Sequence, residues 1–289
     1  DQRRDRGESM VLVTVFETEG STYSKAGAQM LVDRDGVFRG MLSGGCLEGD
    51  LAVRAGQVLD SGKPQVATYD LGQEDDELWG MGVGCDGLMR TVLQPLQPES
   101  GYEPFASIAE ILRGDTPQEL ALRVGIDDIG AIKLLVQPPP QVLVLGAGLD
   151  AEPVVRFAAE LGWRCTVVDH RPAYLQNGDF SAAVATHCQP VEELAVTLDL
   201  ERFDAAIVMS HHLVSDRAYL AQLASTGIRY IGLLGPRHRR ERLLADLGDQ
   251  ASDLGGRLFG PAGLDIGGRG PGPIALSIVA QVQRILAER

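Results

Sequence analysis

The chain is poor in cysteine, short of basic residues and without a long apolar run, and each lack narrows what it can be. Four cysteines in 289 residues (Cys46, Cys85, Cys165 and Cys188) are too few and too scattered for a disulfide scaffold, and no Cys-x-x-Cys pair occurs. That usage fits a reducing, cytoplasmic compartment. Lys plus Arg number 26 against 40 Asp plus Glu, a net charge of −14. A general nucleic-acid binder needs surplus cations to neutralise phosphates, and so does a protein that lies on an anionic membrane. Neither partner is expected, although a local positive pocket for one small anion is still open. No apolar run approaches the roughly 18–20 residues of a membrane span. What remains is ample for folding. Apolar residues make up 44% and charged residues 23%, enough for one large domain or two ordinary ones.

Hydrophobic periodicity divides the chain into three parts. Residues 10–17 form a short β-branched run and read as a buried strand. Residues 29–32 and 37–42 flank Asp33-Arg-Asp-Gly36, whose Asp-Gly pair suggests a hairpin turn. Leu47, Leu51, Ala55, Val58 and Leu59 share one helical face, which Gly62 ends. Residues 65–69 and 88–93 read as further strands. Residues 1–97 are therefore expected to be a small α+β domain. Residues 98–140 read as a helical connector of two short helices. The second opens Thr116-Pro-Gln-Glu119, with Thr as cap, Pro at the first helical position and Glu three residues after the cap. The connector ends in Gln137-Pro-Pro-Pro140, a stiff extended spacer. From 141 to 289 strands alternate with helical stretches, with strands at 141–145, 165–168, 205–209 and 228–233. That alternation predicts an α/β domain with a doubly wound parallel sheet.

Glycine is plentiful, at 35 residues, and gathers in a few loops. Gly146-x-Gly148-x-x-Ala151 lies between a strand and a helix, and Asp169 ends the next strand. This is the Rossmann fingerprint spacing, with glycines for the turn and for close phosphate approach at a helix N-terminus. Asp169 suits a ribose hydroxyl, whereas Arg171 suits a phosphate. NAD(P), another phosphate ester and a bare scaffold all remain open for this domain. His211 and His212 follow a strand, at the end of the sheet where such folds bind ligands. A polar ligand contact, metal ligation and plain capping are the readings there.

Ser43-Gly44-Gly45-Cys46-Leu47-Glu48 lies just before the amphipathic stretch, which places Cys46 in the first turn of a helix. Free N–H groups and the positive end of the helix dipole favour a thiolate there. A reactive thiolate or soft metal ligand is expected at Cys46, against the plainer reading of a buried small hydrophobe. Glu48 is either a proton carrier or an acid that favours the helix dipole. Trp79-Gly-Met-Gly-Val-Gly84-Cys85-Asp-Gly87 is a second glycine-rich loop. Such a loop is costly to order unless backbone must approach something closely. Cys85 is the second candidate thiol. Gly20-Ser-Thr-Tyr-Ser-Lys25 is a third candidate ligand loop. Cys165 and Cys188 read as core or incidental.

Together these loops resemble the XdhC/CoxI family of accessory factors for xanthine dehydrogenase and related molybdenum hydroxylases. The matching stretches run through nearly the whole chain, from Gly20-Ser-Thr and Ser43-Gly-Gly-Cys-Leu-Glu48 to Gly84-Cys-Asp-Gly87, Gly146-Ala-Gly148, Asp169-His-Arg-Pro172 and Gly263-Leu-Asp-Ile266. Two departures stand out: Leu149 where the family often has His, and Gly268-Arg-Gly-Pro-Gly-Pro273 where it usually has an acidic helix start. The resemblance implies a cytoplasmic chaperone that binds molybdenum cofactor (molybdopterin), protects it, aids its sulfuration by a cysteine desulfurase, and inserts it into a xanthine-dehydrogenase-type hydroxylase. It implies Cys46 as the thiol that contacts molybdenum or carries sulfur, with Cys85 as its partner. Ser43, Gly44, Gly45, Gly84 and Gly87 would supply contacts in the first domain. Gly146, Gly148, Asp169, Arg171, His211 and His212 would hold the phosphate or nucleotide part of a ligand. A homodimer is expected. The rival reading is an NAD(P)-dependent oxidoreductase that uses the Rossmann domain. A third is a pure docking scaffold, which would not need the glycine loops.

Overall fold

A computed structural model describes residues 2–70, 87–126 and 129–288. The chain divides into two compact units, Asp1–Pro138 and Pro139–Arg289.

The first unit opens with one helical turn, α1 (Gln2–Asp5). Its sheet is built from β1 (Met10–Glu19), β2 (Gln29–Asp33), β3 (Phe38–Arg39), β4 (Gln65–Asp70) and β5 (Leu88–Leu96). The strand order is β3-β2-β1-β5-β4 and every pairing is antiparallel. The central strand explains the unbroken apolar run at its start. Val11, Val13 and Val15 point to one side of the sheet, Met10 and Leu12 to the other, and both sides are covered. The hairpin turn at Asp33 is held by its own side chain, whose Oδ1 accepts the N–H groups of Asp35 and Val37 at 2.9 Å each.

On the first side lies α2 (Glu48–Ser61), which buries Leu51, Ala55, Val58 and Leu59 and ends at Gly62 in the left-handed region. On the second side lie α3 (Phe105–Arg113) and a hairpin of β6 (Gln118–Leu122) with β7 (Ile132–Val136). Ile108, Ile111, Leu122, Leu134 and Val136 pack there against Met10, Leu12 and Leu96. Two expectations are thereby corrected. The segment read as a helical connector is part of the first unit's core. The helix expected from Thr116 is a strand, because Leu122 finds a buried partner surface and Glu119 pairs across the hairpin with Lys133 at 3.1 Å. A local capping signal lost to a tertiary partner.

The second unit is one parallel sheet. Its strands are β8 (Gln141–Leu145), β9 (Arg164–Asp169), β10 (Ala185–Cys188), β11 (Ala205–Val208), β12 (Tyr230–Leu233) and β13 (Leu258–Phe259). They lie in the order β10-β9-β8-β11-β12-β13, all parallel. This is the order of a Rossmann sheet, and the topological switch falls where β8 meets β11. One face is covered by α4 (Ala151–Glu160) and α10 (Pro271–Ala287), through Val154, Ala158, Ile278 and Val282. The other is covered chiefly by α7 (Leu213–Ala224) and α8 (Arg237–Leu247), through Leu220, Leu223, Leu243 and Leu247. Shorter helices α5 (Pro172–Asn177), α6 (Leu194–Thr197) and α9 (Ala251–Leu254) fill the connections. Among the described residues no helix is long and apolar enough to cross a membrane.

Candidate functional site

The Cys46 loop is organised around a buried carboxylate. Glu48 is 2% exposed, at the first residue of α2. Its Oε1 accepts the N–H of Leu42 at 2.8 Å and of Ser43 at 2.9 Å. Its Oε2 accepts the Ser43 hydroxyl at 2.5 Å and the N–H of Gly45 at 3.0 Å. The Ser43 oxygen in turn accepts the N–H of Leu47 at 2.7 Å. Burial pushes the Glu48 carboxyl up, but the Ser43 hydroxyl and the backbone donors outweigh it and hold it below the usual carboxylate range. With four donors on its two oxygens, Glu48 anchors the loop.

Cys46 is exposed at the crest of that loop. It stands immediately before Leu47, the cap of α2, and so lies outside the first turn where it was expected. Gly44 and Gly45 both have positive φ, 74° and 114°. The open side of Gly44 meets the ring of Tyr23, whose nearest atom is 3.5 Å from the point where a side chain at position 44 would begin. The third candidate loop of the sequence thus lies beside the first. Cys85 and Gly84 lie outside the described residues. Gly87 is described, and its lack of a side chain serves the chain itself. A Cβ there would stand 2.5 Å from the carbonyl oxygen of Glu19 and 2.7 Å from that of Ser21.

The fingerprint loop of the second unit is closed by its own side chains. Gly146 has φ of 120°, and a Cβ there would collide with the Met209 and Ser210 backbone at 2.6 Å. Asp169 is fully buried at the end of β9. Its Oδ2 accepts the N–H of Ala147 at 2.7 Å and Nη2 of Arg171 at 2.7 Å. Its Oδ1 accepts the N–H of Arg171 at 2.9 Å and Nε of Arg171 at 2.8 Å. A carboxylate offers about four acceptor positions, and all are taken, so none is left for a ribose hydroxyl. Burial pushes this carboxyl up, but the Arg171 side chain and the two backbone donors hold it low. The Arg171 guanidinium also stacks on Tyr174, 3.7 Å from the ring centre.

His211 and His212 have different tasks. His211 is held at φ of 60°, and its Nε2 pairs with Asp150 Oδ2 at 2.7 Å across the Gly148 turn. That hydrogen bond raises the imidazole above its ordinary value. Asp150 is the cap residue of α4, but its side chain makes no capping hydrogen bond there and turns to His211 instead. His212 caps α7, with Nδ1 accepting from the Ser215 N–H at 3.4 Å. The adjacent histidines do not meet at one ligand. Among the described residues no group of three or more His, Cys, Asp or Glu is arranged to hold a metal ion. Cys165 is buried in β9, where burial pushes its thiol up to about 12. Cys188 is exposed at the end of β10.

Sequence reading missed Asp150 as the partner of His211, though it lies within the fingerprint itself. It also missed a buried polar group beside the loop. There Asp216, fully buried, accepts the Ser210 hydroxyl at 2.5 Å and Nη2 of Arg239 at 2.6 Å. The only hint was the run Gly235-Pro-Arg-His-Arg-Arg240. A cavity of about 450 Å³, lined by Gln141, Arg164 and Arg202 among others, opens at the amino ends of the strands, away from the fingerprint loop.

An anchored loop presenting an exposed cysteine, joined in one chain to a Rossmann unit, defines a two-unit type of protein. Comparison with known proteins gives the type its family. The chain matches the model of the XdhC Rossmann domain over residues 142–282 and that of the XdhC and CoxI family over residues 3–70. It is 31% identical to a Bacillus subtilis (strain 168) protein named as a probable xanthine dehydrogenase subunit, over 95% of this chain and 92% of the relative. It is 23% identical to the molybdenum cofactor insertion chaperone PaoD of Escherichia coli (strain K12), over 96% of this chain and 83% of that protein. A solved structure from Bacillus halodurans, described as a xanthine dehydrogenase, superposes with a TM-score of 0.85 at 29% identity, covering 100% of this chain and 94% of that one. The chain belongs to the XdhC and CoxI family.

Proposed function

We propose that this protein is a molybdenum-cofactor chaperone. It takes up the cofactor as cargo, holds it while a cysteine desulfurase supplies the terminal sulfur, and delivers it into a xanthine-dehydrogenase-type hydroxylase. The single observation that carries the reading is the Cys46 loop. A soft thiol suits a molybdenum centre. Here it is exposed, beside backbone with little side-chain cover, on a loop that Glu48 fixes through four hydrogen bonds. Cys46 is the residue that would contact the metal or carry sulfur. Ser43 and Glu48 position it, since both are spent on holding the loop. Cys85 is proposed as the second thiol. The names of the Bacillus subtilis and Escherichia coli relatives support the class of cargo and client.

The closed fingerprint counts against the rival oxidoreductase reading. Asp169 has no acceptor position left. The second unit is better read as a scaffold or a surface for the client than as an NAD(P) site. The test is retention of molybdenum and pterin by the purified chain, against loss of both in Cys46→Ala.

A further inference from the structure

The Gly20–Lys25 loop carries a feature that the cysteine chemistry does not use. Tyr23 is 58% exposed. Single exposed aromatics are ordinary on protein surfaces. This one is held in place from two directions. Its neighbour Thr22 is 8% exposed and donates its hydroxyl to the Ser24 carbonyl at 2.7 Å. Gly87 packs its backbone against Glu19, Ser21 and Thr22, so close that no side chain would fit. Three atoms of the Tyr23 ring then lie 3.5–4.0 Å from where a Gly44 side chain would begin, two residues ahead of Cys46. A side chain at 44 would begin in ordinary van der Waals contact with the ring, which places the ring beside the loop. Beside it the Lys25 ammonium reaches only the Thr22 hydroxyl, at 3.4 Å, and among the described residues no carboxylate pairs with it. An aromatic ring with a fixed backbone loses little entropy when a second ring stacks on it.

We infer that Tyr23 is the stacking platform for the flat heterocycle of the ligand held at the Cys46 loop, with Lys25 supplying a cation for its anionic end. The ligand class is a planar pterin-like ring bearing a phosphate or carboxylate tail. This rests on the chaperone reading and adds to it the residue that grips the organic part of the cargo.

The probe is an oxidised, metal-free pterin carrying a phosphate, followed by its own fluorescence against the full chain. Tyr23→Ala is expected to weaken binding about tenfold or more, as loss of a stacking ring does, and Tyr23→Phe to restore it. Lys25→Gln is expected to weaken the phosphorylated pterin more than the same ring without its phosphate. Should Tyr23→Ala bind like the wild type, or should the wild type hold whole cofactor yet ignore the metal-free ring, the stacking inference is overturned and the chaperone reading stands. Should the wild type bind the metal-free ring through Tyr23 but hold no molybdenum, the platform stands and the chaperone reading falls. Should the wild type bind neither, both are overturned.

Discussion

At the scale of single residues, the roles divide between carboxylates that hold loops and a thiol, Cys46, that is left exposed on one of them. Glu48 and Asp169 are the two holders. Each is buried, each accepts four donors, and each has its pKa lowered in the folded state. A depressed folded pKa gives stability that is fully present above the unfolded value and lost as pH falls through the folded one. The ordinary values are 4.5 for Glu48 and 3.8 for Asp169, so the loss belongs to the acid range below them. Glu48→Gln removes the charge, replaces one acceptor oxygen with a donor, and leaves N–H groups unpaired. It is expected to cost about 2–4 kcal/mol in urea unfolding at pH 7. It should also flatten the acid limb of the stability profile. An unchanged midpoint and an unchanged acid limb would show that the loop does not depend on the carboxylate.

At the scale of elements, the sequence was most readable where its signals were local. Gly146, Gly148, Ala151 and Asp169 mark a strand, a turn, a helix and a second strand within one short stretch, and the parallel sheet follows from repeating that pattern. Tertiary partners decided the rest. Thr116-Pro-Gln-Glu119 carries every local mark of a helix start, yet residues 118–122 pair with Ile132–Val136 and bury Leu122 in the first unit. Nothing local in the sequence says that Arg171 folds back on Asp169. The role of Glu48 is hidden for the same reason, since its partners come from the turn ahead of the helix. Leu122 is 1% exposed. Leu122→Ala is expected to destabilise the protein by about 2–4 kcal/mol, measured by denaturant unfolding. A surface-like loss under about 0.5 kcal/mol would return the segment to the connector role first expected for it.

At the scale of the whole molecule, a unit that presents a thiol is joined to a Rossmann unit whose Asp169 is hydrogen-bonded by Ala147 and Arg171. A protein that bound NAD(P) in the usual way would gain thermal stability by mass action, about 2.7 kcal/mol at a hundredfold excess over Kd. None is expected here with millimolar NAD(H) or NADP(H), read as the thermal midpoint. A clear, saturable rise would bring back the oxidoreductase reading and require Asp169 to release Arg171.

The central claim is that the chain carries molybdenum cofactor through Cys46, and one measurement tests it most directly. The purified protein and its Cys46→Ala variant are incubated with freshly released cofactor and freed of excess by gel filtration. Bound molybdenum and oxidised pterin are then quantified. Near-stoichiometric retention of both is predicted for the wild type, with loss of both by a variant that remains folded. Equal retention by the two proteins, or none by either, would contradict the claim.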